Sequence, residues 1–136
     1  MASRLNPYIN FDGNAREALE FYRDALGGEL TTNTYGEYGT EGDFGNRIMH
    51  GSLEAADGLT LMAADLPPGQ SPTPGGNLSI CLNGDDGDTL RDYWGKLSAG
   101  GEVHVPLEKQ MWGDEFGQCV DKFGVTWLVN IGAPQG

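Results

Sequence analysis

Apolar residues recur at intervals of three and four in two stretches of the chain, which is the spacing of a helix with one buried face. In the first stretch Asn14 is predicted to cap the helix, and Glu17 completes a capping box. Gly27-Gly28 is predicted to end it, because glycine tolerates the left-handed conformation that closes many helices. The stripe is predicted to consist of Ala15, Ala18, Leu19, Tyr22, Ala25 and Leu26.

The same spacing returns in the other half of the chain. Either Asp86 or Asp88 can cap this second helix, because a short acidic side chain can accept a hydrogen bond from the first turn. Gly100-Gly101 is predicted to end it. Its apolar stripe is predicted to consist of Leu90, Tyr93, Trp94 and Leu97.

Runs rich in β-branched and aromatic residues surround both helices and predict strands. Asp57-Gly58 is the predicted turn between two of these strands. The predicted strands are residues 5–11, 29–38, 47–53 and 59–64 in the first half and 77–83, 102–107, 116–121 and 126–131 in the second. Each half is therefore predicted to have the order β-α-β-β-β.

The two halves also repeat short sequences in the same order. Gly27-Gly28-Glu29 returns as Gly100-Gly101-Glu102, and Gly58-Leu59-Thr60 returns as Gly124-Val125-Thr126. One such match would carry little weight in a chain with 22 glycines. Matches that keep their order indicate a repeated supersecondary unit.

The repeat predicts an α+β fold in which two βαβββ modules form one domain, residues 1–136. Module one covers about 5–65, a Pro/Gly linker covers about 66–76, and module two covers about 77–131. The strands are predicted to form a curled mixed sheet with the helices on its outer face. The other face is expected to surround a pocket, either within one chain or across a dimer.

Charge and cysteine content narrow the possible partners. The net charge of −12 argues against nucleic acid and against an anionic membrane surface, and leaves room for a cationic small ligand. No apolar run approaches the length of a membrane span. Cys81 and Cys119 are too few for a disulfide framework, and both are predicted to be buried free thiols in a reducing cytoplasm.

Several segments resemble a known superfamily. Residues 5–11, Ala18-Leu19-Glu20-Phe21-Tyr22 and Gly27-Gly28 resemble the opening of vicinal oxygen chelate proteins, the glyoxalase, bleomycin-resistance and extradiol-dioxygenase superfamily. Ile48-Met49-His50 and residues 121–127 resemble its PhnB-like branch, as do residues 58–62 and Trp112-Gly113. The resemblance implies a glyoxalase/bleomycin-resistance-like fold of paired βαβββ modules, and a homodimer.

The resemblance also implies four positions at which active members hold a divalent metal. In this sequence they fall near Asn6, Met62, Ser79 and Leu128. Hard and borderline divalent ions prefer histidine and carboxylate ligands, and none of these four residues supplies one. We therefore predict no bound metal and no cofactor.

His50 is the residue most suited to chemistry, since histidines as a class titrate near neutral pH. It could act as a catalytic base or as a hydrogen-bond donor to a ligand, or it could be a half-buried structural histidine. Alternation along strands allows it to share one face with Tyr8 and Met62. The predicted ligand pocket comprises Tyr8, His50, Met62, Trp112 and Phe116, with the glycine-rich loop 36–45 as a mobile lid.

Three functions are consistent with these features. The first is a PhnB-like protein that binds a small organic molecule without the usual metal site. The second is a metal-dependent lyase, isomerase or oxygenase that uses His50 and carboxylates such as Asp65 as unusual ligands. The third is sequestration of an antibiotic, which the negative charge would favour for a cationic drug. The sequence leaves open whether any reaction is catalysed.

Overall fold

A computed structural model describes residues 5–55, 58–67, 69–70 and 78–132. The chain divides into two compact units, Met1–Pro74 and Gly75–Gly136. The predicted linker 66–76 lies largely outside the described residues, as do Asp57 of the predicted turn and residue 77 of a predicted strand. The single-domain organisation stays a prediction. Within the described ranges, no helix is long and apolar enough to span a membrane.

Module one carries one helix against a four-stranded sheet. Its elements are β1 Tyr8–Phe11, α1 Ala15–Leu26, β2 Glu29–Thr34, β3 Ile48–Glu54 and β4 Thr60–Asp65. The strand order is β1-β4-β3-β2, with β1 parallel to β4 and the other neighbours antiparallel. The first and last strands of the module therefore lie side by side.

Module two repeats this arrangement. Its elements are β5 Ile80–Gly84, α2 Gly87–Ser98, β6 Glu102–Lys109, β7 Glu115–Val120 and β8 Thr126–Ile131. The strand order is β5-β8-β7-β6, again with one parallel pair. The predicted α+β fold of two βαβββ modules is confirmed, with a separate four-stranded sheet in each module.

Both helices turn their predicted apolar stripes toward the protein interior. All six predicted positions of α1 are buried. In α2, Leu90, Tyr93 and Leu97 are buried, while Trp94 is half-buried above Gly117 of β7. Asp86 caps α2 by accepting a hydrogen bond from the Thr89 N–H at 3.2 Å.

The predicted capping box of α1 is wrong. Asn14 makes no side-chain capping bond. The Ala15 N–H donates instead to the carboxylate of Asp65 at 3.0 Å. A side chain from β4, distant in sequence, thus takes the place of the local cap.

The repeated Gly-Gly pairs have two separate physical roles. Gly27 and Gly100 have φ of 78° and 77°, a region that residues with a Cβ rarely adopt. Gly28, whose φ is also positive at 102°, and Gly101 lie against backbone, so that a Cβ there would collide with the carbonyl oxygens of Glu54 and Val120 respectively. Each second glycine thus lets a new strand start close beside its neighbour.

Candidate functional site

The face of the first sheet that points away from α1 carries several polar side chains and the aromatic ring of Tyr8. On the helix side, Leu53, Leu61 and Ala63 are buried, and a Cβ at Gly51 would meet Leu19 of α1. Because side chains alternate along strands, their neighbours point the other way. We call this surface the open face of the first sheet; it comprises Tyr8, Asn10, Asn33, His50, Ser52 and Met62.

Tyr8 and His50 meet on this open face. Tyr8 Oη lies 3.5 Å from His50 Nδ1, and the two ring centroids are 5.9 Å apart with a tilt of 33°. Met62 pairs directly with Tyr8 across β1 and β4. A separation of 3.5 Å is long for a hydrogen bond, so both polar atoms keep capacity for another partner. Tyr8 is half-exposed, at 49 %, and can therefore be reached from solvent.

A β-bulge precedes His50 and turns Ile48 to the opposite face of the sheet. His50 pairs with Asn33 and Ile48 pairs with Thr34, which leaves Met49 as an extra residue in β3. Ile48 is fully buried, and its Cγ2 would lie 3.6 Å from a Cβ at Gly51, on the helix side. Without the bulge, strict alternation would place Ile48 and His50 on the same face.

Asp65 is buried at the end of β4, with 2 % of its surface exposed. Its Oδ1 accepts hydrogen bonds from the N–H groups of Gly13 at 2.7 Å and Ala15 at 3.0 Å. Its Oδ2 accepts from the Ile48 N–H at 2.9 Å. Both oxygens are thus committed to backbone donors, which removes the support for Asp65 as an unusual metal ligand.

Tyr35 lies beside this carboxylate, just after β2. Its hydroxyl donates to the backbone carbonyl of Asp65 at 2.7 Å. Burial raises the pKa of Tyr35, and the nearby Asp65 and Tyr8 raise it further. The hydroxyl therefore stays protonated at neutral pH and remains a donor. The sequence pattern did not predict this contact, because its partner is far away in the chain.

The glycine-rich loop has more internal structure than its glycine spacing indicates. It contains two 3-10 turns, Gly36–Tyr38 and Asp43–Asn46. The rings of Tyr35 and Phe44 lie 5.1 Å apart, and the Arg47 guanidinium sits 4.7 Å from the Phe44 centroid. Such contacts favour movement of the loop as a unit. Its role as a mobile lid stays a prediction.

Trp112 and Phe116 of the predicted pocket lie in module two. Trp112 belongs to the turn between β6 and β7 and is 60 % exposed. Its ring centroid is 6.3 Å from that of Phe116, at 60°. The structure thus brings together Tyr8, His50 and Met62 in one unit and Trp112 and Phe116 in the other. The five-residue pocket stays a prediction.

The four positions implied for a metal do not fit a hard or borderline divalent ion. Met62 pairs with Tyr8 in the first sheet, and Leu128 pairs with Cys81 at the corresponding place in the second. Asn6 and Ser79 precede the first strand of each module. Among the described residues, no group of three or more His, Cys, Asp or Glu side chains is arranged to hold a metal ion.

The two cysteines differ in environment. Cys119 is buried as predicted, and burial raises the pKa of its thiol to about 11, helped by the charge of Asp121. The prediction that Cys81 is buried is wrong, because Cys81 is exposed. It lies on the face of the second sheet that points away from α2, beside Leu128.

Module two has its own buried carboxylate. Asp121 is 3 % exposed and accepts hydrogen bonds from the N–H groups of Phe123 at 2.8 Å and Val125 at 3.1 Å, and from the Trp127 indole at 2.8 Å. These bonds stabilise the turn between β7 and β8. The two buried acids therefore stabilise different parts of the two modules.

The two βαβββ modules, each with one mixed four-stranded sheet, define a class of α+β protein. The family model for the Glyoxalase/Bleomycin resistance protein/Dioxygenase superfamily matches residues 4–129, and the chain belongs to that superfamily. The resemblance noted in the sequence is thereby confirmed at the level of the superfamily.

Individual relatives agree with this assignment. The crystal structure of protein PA1353 from Pseudomonas aeruginosa is 34% identical, with a TM-score of 0.86, covering 98% of this chain and 100% of that one. Protein YjdN of Escherichia coli K12 is 25% identical over 140 residues, covering 93% of this chain and 94% of YjdN. A PhnB protein from Bacillus cereus, described as a putative 3-demethylubiquinone-9 3-methyltransferase, is 23% identical. Its TM-score is 0.71, covering 96% of this chain and 100% of that one, which shows a shared fold.

Proposed function

We propose that this protein is a PhnB-like member of the superfamily that binds a small organic molecule on the open face of the first sheet. The observation that carries the proposal is the Tyr8–His50 pair, two polar rings whose facing atoms are 3.5 Å apart. A ligand group that accepts or donates a hydrogen bond can replace this weak contact at small cost.

The surroundings of the pair support a ligand with both an apolar and a polar part. Met62 lies beside Tyr8 and offers a polarizable apolar surface. Asn33 and Ser52 offer neutral hydrogen-bonding groups on the same face. Small-molecule sites commonly combine such apolar surface with a few polar groups.

The proposal can be tested by carbon–proton NMR of the two histidine side chains during addition of benzoate, of catechol and of a cationic glycopeptide antibiotic. We expect the His50 signal to move with at least one probe and the His104 signal to stay. His104 is a suitable control, because it lies on β6 with its side chain 47% exposed. Equal shifts of both signals, or no shift with any probe, would count against the site.

The same experiment, together with a metal analysis, separates the alternative functions. Sequestration of a cationic drug is the second candidate that an observation favours, since the net charge is −12. It predicts that only the antibiotic moves the His50 signal. A metal-dependent enzyme instead predicts stoichiometric zinc, nickel or iron in protein purified without a metal-chelating tag. We expect elemental analysis to find none of these bound.

A further inference from the structure

The ladder between β3 and β4 ends before the bulge in β3 is reached. Regular pairing runs from Glu54↔Thr60 to Gly51↔Ala63. Beyond this point the Ile48 N–H donates to Asp65 Oδ2 at 2.9 Å. A side-chain carboxylate thus supplies the acceptor for β3 at the place where the strand has left its regular register.

His50 lies between these two attachments. The Gly51↔Ala63 pair follows it, and the bond between Ile48 and Asp65 precedes it. Without Asp65 Oδ2 the buried Ile48 N–H would lose its acceptor. The backbone just before His50 would then no longer be held at the position that brings its ring to Tyr8.

The other oxygen of Asp65 fixes the strand that carries Tyr8. Oδ1 accepts from Gly13, two residues after β1, and from Ala15, the first residue of α1. β1 also pairs along β4 as far as Phe11↔Asp65. One buried side chain therefore ties down both strands that bring the Tyr8–His50 pair together.

From this arrangement we infer that Asp65 is a positioning residue, whose carboxylate holds the β3 bulge and the end of β1 so that His50 faces Tyr8. The inference rests on the proposed function, in which that pair receives the ligand. It assigns to Asp65 no contact with the ligand. The substitution Asp65→Asn tests it, because an amide offers a single acceptor oxygen and cannot serve both sets of N–H donors.

The readout is the nuclear Overhauser effect between the Tyr8 and His50 rings in the unliganded protein. We expect this signal to be lost in D65N, with a shift of the His50 Cε1–H resonance. The matched control is Asp121→Asn, which removes a similarly buried carboxylate in module two. The control should keep the Tyr8–His50 signal.

A folded D65N variant that keeps the signal would overturn the inference, and so would loss of the signal in both variants. Should D65N fail to fold, Asp65→Ser is measured in its place. Failure of both to fold while D121N folds would make Asp65 a general determinant of the fold and would also overturn the local role. Loss of the ring contact in D65N, combined with no binding of any probe to the wild type, would refute the proposed function alone.

Discussion

At the scale of single residues, His50 is expected to control ligand binding. Replacement by Gln keeps hydrogen-bonding capacity but removes the imidazole ring that faces Tyr8, so His50→Gln should weaken binding. Binding of the probe that moves the His50 signal would be measured by calorimetry. His104→Gln, in which the other histidine is replaced, should bind like the wild type. Equal affinities of the two variants would remove His50 from the site.

Cys119 is expected to make stability depend on pH in alkaline solution. Its thiol has a pKa of about 11 in the folded protein against an ordinary value of 9.0. The unfolded chain therefore loses this proton first, and the stabilisation, complete below pH 9, is lost as the pH rises toward 11. The slope should not exceed about 1.4 kcal/mol per pH unit.

Urea unfolding at several pH values, with a reducing agent present, measures this slope. Cys119→Ala should be less stable than the wild type at every pH. Its free energy of unfolding should also lack the part of the alkaline slope that the thiol contributes. Cys81→Ala removes an exposed thiol and should keep the slope of the wild type. If both variants retain it, the dependence belongs to other groups, such as tyrosines.

The residue scale is also where the sequence was least informative. Asp65 follows an apolar strand, and such an acid can be a ligand, a base or an anchor. Its three N–H donors belong to Gly13, Ala15 and Ile48. These residues are distant in sequence, so the residues around Asp65 in the chain do not indicate them. Cys81 was misassigned for a related reason, because the strand pattern alone did not indicate which face of the second sheet would be covered.

At the scale of elements, the second glycine of each Gly-Gly pair is expected to be essential. A Cβ at Gly101 would collide with the backbone of Val120 and Asp121, which cannot give way as a side chain can. Gly101→Ala should therefore lower the free energy of unfolding by roughly 1–3 kcal/mol.

Gly95→Ala is the matched control for this substitution. Gly95 lies within α2, and nothing lies within 4 Å of the position of its missing Cβ. This variant should gain about 0.5–1 kcal/mol, because alanine favours helix. Thermal or urea unfolding of both variants would test these two expected changes in stability. Equal stabilities would contradict the role given to Gly101.

Elements with a clear period were predictable from sequence. The stripe of α1 was complete because its residues repeat without interruption. The bulge at Met49 was not predicted, since an extra residue leaves the composition of a strand unchanged. The predicted strand 29–38 was too long, because residues that favour strands continue past Thr34. The structure ends β2 at Thr34 and enters a 3-10 turn at Gly36.

At the scale of the whole molecule, we predict a homodimer. Each helix has one apolar stripe, so it covers one face of its sheet, and the remaining face and strand edges favour a partner. Light scattering at micromolar concentration should give twice the mass of 14.6 kDa. A monomeric mass under these conditions would contradict this. Cytoplasmic localisation likewise stays a prediction.

The position of β1 at the edge of its sheet affects how readily this part of the fold opens. β1 has four residues and lies at the edge of its sheet, joined only to β4, whereas β2, β3 and β4 follow one another as antiparallel neighbours. Pairing between segments distant in sequence forms late in folding, and short edge strands open readily. The amides of residues 8–11 should therefore exchange with deuterium sooner than those of β3. A ligand held by Tyr8 should slow that exchange, so that occupancy of the site could be read from the backbone alone.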